Sequence, residues 1–512
     1  MKKKYILSGL LASIFLFTSC ESRLDIAEHG VSNVSTYYQT DDEANEAATA
    51  MYYRCFTTYN SWFMINNLLS DDCWSGGGTH YDGSFYKLAD YTFDTDYGTI
   101  KTLYTNLYNT IYAANVVLEN VKGESTIKNR AIAEAHVFRA LSYFELTTLW
   151  GTPPLVDHTL QPNEYQQGNS DQSALWALIE SDLTTAINSN ALTEKNNVDD
   201  KTYRVTKQYA QALLGKVYVF EKKWSEAVNI LDQVIQSGKY KLYEDYSNIG
   251  TMVGECNSES IFEMNRPNDT SNPSLNFDLL WDYLGLRGEK YNVSGSTLSG
   301  RSWGFMNPTK DLYDAFVVEE GADGYRLHNS IITYQQLKDE QKAYISDGLT
   351  VTDNEGYYDF KWRILGSDFS LAYNVPKNFR FMRYAEVLLL AAEANLEAGS
   401  ANKALEYVNQ VRSRAKAKNL TSITMDNIKT EKRVELCFEA CRYQDLIRWG
   451  DAASVLAGRG GKYPILSSTG NVTWTTINQS ATHGFKTGKH ELLPFPATEI
   501  LVNTNMKQNP GW

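Results

Sequence analysis

From about Thr206, the residues Leu214, Gly215, Tyr218, Ala227, Leu231 and Val234 fall at the spacing of a tetratricopeptide unit, with Trp224 at the turn. In such a unit a small residue lets two antiparallel helices cross closely while large residues fill the gap. A looser copy spans about Arg383 to Arg414, with Ala392, Gly399, Ala404, Val408 and Val411 in corresponding places. One hairpin cannot bury its own apolar face, so the two units are expected to stack although Ala227 and Ala404 lie about 177 residues apart. The sequence between them must loop out.

Helical periodicity also runs through the first part of the chain. Leu103, Leu107, Ile111, Ala114, Leu118 and Val121 recur at three- and four-residue steps, with Gly123 placed as a C-terminal cap. A second helix is expected from about Asn129 to Leu149, stopped by Gly151-Thr152-Pro153-Pro154. The stretch from about 243 to 379 differs: it is rich in Gly, Asn, Ser, Asp and aromatics, with Asn-Pro and Asp-Gly turn signals. The expectation is a mainly α protein. A tetratricopeptide-like helical scaffold, about 36–240 and 380–450, carries an inserted loop-rich irregular subdomain with short strands at about 243–379, and a turn-rich C-terminal segment follows at about 462–512.

The first nineteen residues read as a signal peptide. Lys2, Lys3 and Lys4 precede an apolar run from Tyr5 to Phe17, too short to span a membrane, which needs about 20 residues. The run ends in Phe17-Thr18-Ser19-Cys20, which resembles a bacterial lipobox, although Phe17 stands where an aliphatic residue is usual. Cys20 is therefore expected to take a lipid and hold the protein to a membrane. The formal charge of −13 disfavours capture of nucleic acid. Beyond Cys20 the five remaining cysteines are an odd number, so they cannot all pair within the chain. Cys437 and Cys441 read as small buried hydrophobes; no metal site and no cofactor are expected.

Several segments, taken together, resemble the SusD/RagB glycan-binding lipoproteins of Bacteroidetes outer membranes. They are Phe381 to Ala394, Lys432 to Gly450, Ala133 to Ala140 before Trp150-Gly151, Trp303 before Pro308 to Tyr313, and the closing Gln508-Asn509-Pro510-Gly511-Trp512. Cys437 and Cys441 replace commoner residues, and the acids after Cys20 are scattered rather than clustered as in the usual surface-export signal. The resemblance implies a non-catalytic, cell-surface lipoprotein anchored in the outer membrane that passes glycan to a SusC-like TonB-dependent transporter. Capture of peptide or glycopeptide by the same scaffold is the alternative. Arg383, Glu386, Glu393, Arg433, Glu435, Arg442 and Asp445 are expected to form helix-packing ion pairs rather than to touch ligand, because they recur at helical spacing.

A pyranose presents an apolar C–H face and a rim of hydroxyls, so its binder needs flat aromatic surfaces and a few fixed polar partners. Two segments supply both. The first holds Trp74, His80 and Tyr81 around Gly76-Gly77-Gly78; the second holds Trp281, Tyr283, Arg287, Tyr291, Asn292 and Trp303. A glycoside hydrolase would instead need two carboxylates about 5 to 10 Å apart across a cleft. Asp71, Asp72, Asp94 and Asp96 are the residues available for that role, but aspartates in turns usually cap helices or face water. No nucleophile elbow, zincin motif, phosphate loop or dinucleotide fingerprint follows the signal.

Overall fold

The computed structural model describes residues 37–266, 279–369, 375–477 and 483–512. The signal segment and Cys20 lie outside them. Eleven helices carry the scaffold description: α1 (Asp41–Leu68), α2 (Gly98–Asn120), α3 (Thr126–Trp150), α4 (Gln172–Asn188), α5 (Lys207–Phe220), α6 (Trp224–Gln236), α7 (Lys310–Glu320), α8 (Tyr384–Glu397), α9 (Ala401–Arg414), α10 (Met425–Glu435) and α11 (Arg442–Trp449). Their starts are written locally. Thr40 and Glu43 form a capping box on α1, and the Ser125 and Thr206 side chains accept the free N–H groups of Lys128 and Tyr209 at the starts of α3 and α5. The helix predicted around 103–121 ends at Asn120, with Val121 already extended, so Gly123 lies beyond the cap position.

Each helix from α1 to α6 packs on the next, and α6 then packs on α8, which packs in turn on α9. The two repeat units therefore stack across the long intervening sequence, giving the tetratricopeptide-like scaffold. Gly215 shows why the crossing is close: a Cβ there would lie 2.4 Å from Leu231 Cδ2. Ala227, Leu231 and Val234 are fully buried on the facing helix, as are Ala404, Val408 and Val411 in the second unit.

Among the strands of the described residues, seven position the site: β1 (Cys73–Gly76), β2 (Ser260–Met264), β3 (Phe305–Pro308), β4 (Thr350–Thr352), β5 (Phe379–Arg383), β6 (Lys462–Ser467) and β7 (Val472–Thr476). β2 pairs antiparallel with β5, so the two ends of the inserted stretch meet beside the scaffold. A second, smaller core forms within that stretch from Leu286, Tyr291, Leu298, Ile332, Leu337, Ile345 and Tyr358. Leu466 of β6 joins it, which ties the C-terminal hairpin β6–β7 to the insertion through the sheet order β7-β6-β4.

The signature charges are ion-paired, but mostly between elements and not along one helix. Lys216 of α5 meets Glu386 of α8 at 2.9 Å, Arg448 of α11 meets Glu393 of α8 at 2.5 Å, and Arg383 meets Glu435 at 2.5 Å. Only Asp445 with Arg448 is a pair three residues apart on a single helix among the signature residues. The reason is burial: on a solvated helix face a neighbouring turn suffices, whereas a charge inside the stack needs a partner from whatever element faces it. Cys437 and Cys441 are buried, and the five described cysteines are free thiols.

Candidate functional site

The chain leaves α1 through a turn at Asp71 and Asp72 that two arginines fix. Arg433 lies 2.8 Å from each aspartate and Arg442 lies 2.9 Å from Asp71. Burial pushes the Asp71 carboxyl up, yet the two guanidinium groups hold it below its ordinary value; at Asp72 burial prevails, with the Asp71 charge adding to it, and the carboxyl is raised. Thr309 accepts no freedom here either, since its N–H and hydroxyl donate to the carbonyls of Asp72 and Asp71, both at 2.9 Å. β1 follows at once and pairs with β3, with Trp74 opposite Asn307.

Trp74 is thereby held half-buried on one wall of an open cleft of about 450 Å³. Its Nε1–H donates to Glu355 at 2.9 Å, and Glu355 also accepts the Lys310 N–H at 2.7 Å. The Arg459 guanidinium sits 5.0 Å from the Trp74 ring centroid, and its Nε is buried without a hydrogen-bond partner. Beside the cleft, Trp474 of β7 meets Trp74 edge-on at 5.8 Å and stays 43% exposed. Lys462, across the β6–β7 hairpin, lies 4.5 Å from the Trp474 centroid. The arrangement offers aromatic surface, a carboxylate with unused acceptor positions and a guanidinium donor, all on elements fixed by the scaffold.

The predicted residues fall in several places. His80 is buried, with Nδ1 3.0 Å from Asp353 and Nε2 2.9 Å from Asp90, and its ring is stacked on Tyr463 at 4.0 Å. It cannot reach a ligand, because both ring nitrogens are occupied. Tyr81 next to it is 58% exposed. Trp281 is a core residue: fully buried, it donates to the Lys377 carbonyl at 2.8 Å and packs on Trp362. Tyr291 is likewise internal, hydrogen-bonded to Tyr358 at 3.0 Å in the smaller core. Asn292 donates to the Tyr344 hydroxyl at 2.8 Å. Arg287 pins the glycine-rich loop, pairing with Asp82 at 2.7 Å while Gly78 leaves room for its guanidinium.

Tyr283 and Trp303 pack together at 5.2 Å, and Tyr283 lines a second open cleft of about 690 Å³ with Asn60, Ser61 and Tyr97. Asp94 and Asp96 face this second cleft, whereas Asp71 lines the first with its carboxylate spent on arginines. Asp71 and Asp72 are thus tied to arginines away from Asp94 and Asp96, which come to the second cleft from one short turn. Sequence reasoning missed Trp474, Glu355, Arg459 and Lys462. The available signal for Trp474 was a lone aromatic in the threonine-rich strand Val472-Thr473-Trp474-Thr475-Thr476, which lacks the alternating apolar positions of a buried strand.

Comparison with known proteins agrees with this architecture. The model of the SusD family matches residues 341–512, and a model described as starch-binding and associating with the outer membrane matches residues 30–219. A SusD-like protein of Bacteroides ovatus is 27% identical over 88% of this chain and 83% of its own length. Among solved structures, a laminarin-binding SusD-like protein superimposes with a TM-score of 0.78 at 27% identity, covering 93% of this chain and all of that one. Surface glycan-binding protein A from Bacteroides thetaiotaomicron, in complex with laminarihexaose, gives a TM-score of 0.72 at 23% identity over 92% of this chain and 99% of that one. With family models that together match residues 30–219 and 341–512, more than half of the chain, and relatives matching nearly end to end, this chain belongs to the SusD family.

Proposed function

We propose that this protein is a lipid-anchored lipoprotein of the outer-membrane surface that holds a neutral glycan at the Trp74 and Trp474 cleft and delivers it to a SusC-like TonB-dependent transporter. The observation that carries the reading is the tryptophan pair itself: Trp474 keeps 43% of its surface open beside a cleft whose polar groups are fixed. A neutral ligand fits because Arg433 and Arg442 are spent on Asp71, Asp72 and Asp311, and the net charge of −13 repels polyanions. The laminarin-binding relative at 27% identity makes a β-glucan the first ligand to try.

The test is titration of the chain lacking residues 1–20 against laminarin, starch and anionic polysaccharides by affinity electrophoresis, with product chromatography alongside. The expected result is retardation by a neutral glucan and no shortening of it. Retardation by none of them, or appearance of shorter oligosaccharides, overturns the reading. The anchor is tested separately. Cys20→Ala is expected to lose labelling by a fatty-acid probe and to leave the membrane fraction, since among the described residues no helix is long and apolar enough to cross a membrane. A cleaved, unlabelled Cys20→Ala chain that stayed in the membrane would defeat the lipid-anchor proposal.

A further inference from the structure

We infer that His80, which rests on the reading of the Trp74 cleft as a glycan site, is a positioning residue that locks Glu355 and the Trp474 hairpin against Trp74. The loop that carries it turns inward on glycines. Gly76 and Gly77 have φ of +78° and +97°, and a Cβ on Gly76 would lie 2.3 Å from the Gly304 carbonyl oxygen. The Gly78 N–H donates to Asp82 at 2.8 Å, and Arg287 holds Asp82 in place. The loop thus delivers His80 beneath the sheet and not out to solvent.

Three separate segments meet at that imidazole. Asp90 follows the short helix Tyr86–Ala89, Asp353 follows β4, and Tyr463 lies on β6 with its ring parallel to the histidine within 4°. Each ring nitrogen faces a carboxylate, and a neutral imidazole has only one N–H to offer. The doubly protonated form satisfies both. Asp353 stands two residues before Glu355, the acceptor of the Trp74 indole, and it adopts a left-handed φ of +54°. Its backbone is tied to the same structures: its N–H donates to the Pro464 carbonyl at 2.7 Å, and Asn307, opposite Trp74, donates to its carbonyl at 3.1 Å. Pro464 in turn lies opposite Trp474 in the β6–β7 ladder. One cation therefore joins the Glu355 turn, the Trp474 hairpin and the loop that follows Trp74.

The titratable groups around the ring are Asp90, Asp353, Tyr81, Tyr86 and Tyr463. Burial alone would lower the His80 pKa, but hydrogen bonds and charge from Asp353 and Asp90 raise it to about 9, while burial raises Asp353 to about 6. A raised histidine pKa means that the imidazolium's share of the clamp is fully present below the unfolded value of 6.5 and is lost as pH rises through about 9. Asp353 ionises above about 6, so the ion pair is intact between those limits.

The experiment uses chain labelled with 5-fluorotryptophan, assigning the Trp74 and Trp474 resonances with Trp74→Phe and Trp474→Phe, and measures laminarin affinity by calorimetry over the same pH range. Both resonances are expected to shift with a midpoint near pH 9 without glycan, and laminarin affinity is expected to fall about tenfold through that midpoint as one charge-assisted bond is lost. His80→Gln should abolish the midpoint near pH 9, and Asp90→Asn, which keeps the shape, should lower it by about one pH unit or more. Resonances and affinity in both variants that track the unsubstituted chain at every pH overturn the inference. Resonances that move near pH 9 in a chain that binds no glucan uphold the clamp on the tryptophans and overturn the glycan reading instead.

Discussion

Replacing Glu435 by alanine is expected to destabilise the whole protein by about 3 to 5 kcal/mol, measured by urea or thermal denaturation. Glu435 is fully buried at the end of α10, where its carboxylate accepts from Arg383 at 2.5 Å, from Arg326 at 2.7 Å and from Arg414. Those arginines come from three separate parts of the chain: the end of β5, the helix Tyr325–Ser330 of the insertion, and α9. Each is at most 5% exposed at its side chain. Removing the carboxylate leaves three guanidinium groups facing one another with Glu259, Glu320, Glu431 and Glu439 as their remaining partners. Burial opposes ionisation of Glu435, but Arg414, Arg383 and Arg326 win and hold its carboxyl far below 4.5. A depressed carboxyl pKa gives stability that is present above 4.5 and is lost as pH falls below it. Glu435→Gln should accordingly lose stability at neutral pH and show a shallower acid limb than the unsubstituted chain. Equal melting of Glu435→Ala and the unsubstituted protein would show that the network does not hold the insertion to the scaffold.

That network also marks where sequence reading stopped. The pattern of Leu103, Leu107, Ile111 and Ala114 gives α2, and Gly215 with Leu231 gives the crossing of α5 on α6, because helical periodicity and close approach are properties of neighbouring residues. Charges at helical spacing also identify Arg383 and Glu435 as structural. Their pairing across 52 positions is not local information. The same limit decides the site. Trp74 and Trp281 are both tryptophans in turn-rich, aromatic sequence, yet Trp281 is closed off by the Lys377 carbonyl 96 positions away, while Trp74 is bonded to Glu355, 281 positions away, and still lines a cleft. His80 is similar in kind: the Asp353 that turns it from a ligand candidate into a clamp is 273 positions distant.

Trp474→Ala is expected to weaken laminarin binding by about 1 to 3 kcal/mol, roughly fivefold to 150-fold, while leaving the melting temperature almost unchanged. The ring is 43% exposed on a hairpin strand, so truncation removes surface available to a sugar and little that is shared with the core. Trp281→Ala is the opposite case. Its side chain is fully buried against Trp362, so the change should cost about 3 to 5 kcal/mol of stability and affect binding only through unfolding. Trp74→Ala lies between them, since it removes cleft wall, the donor to Glu355 and the ring beneath Arg459 together. The Trp74→Ala and Trp474→Ala effects on binding should not add, because the rings touch and the first change frees the second to move. Calorimetry of the three single variants and the double variant, with melting curves on the same samples, separates the roles. If a folded Trp474→Ala chain bound laminarin as tightly as the unsubstituted protein, the sugar would have to lie elsewhere, and the Tyr283-lined cleft, with its aromatic wall and the hydrogen-bonding groups of Asn60, Ser61, Asp94 and Asp96, is the next place to test.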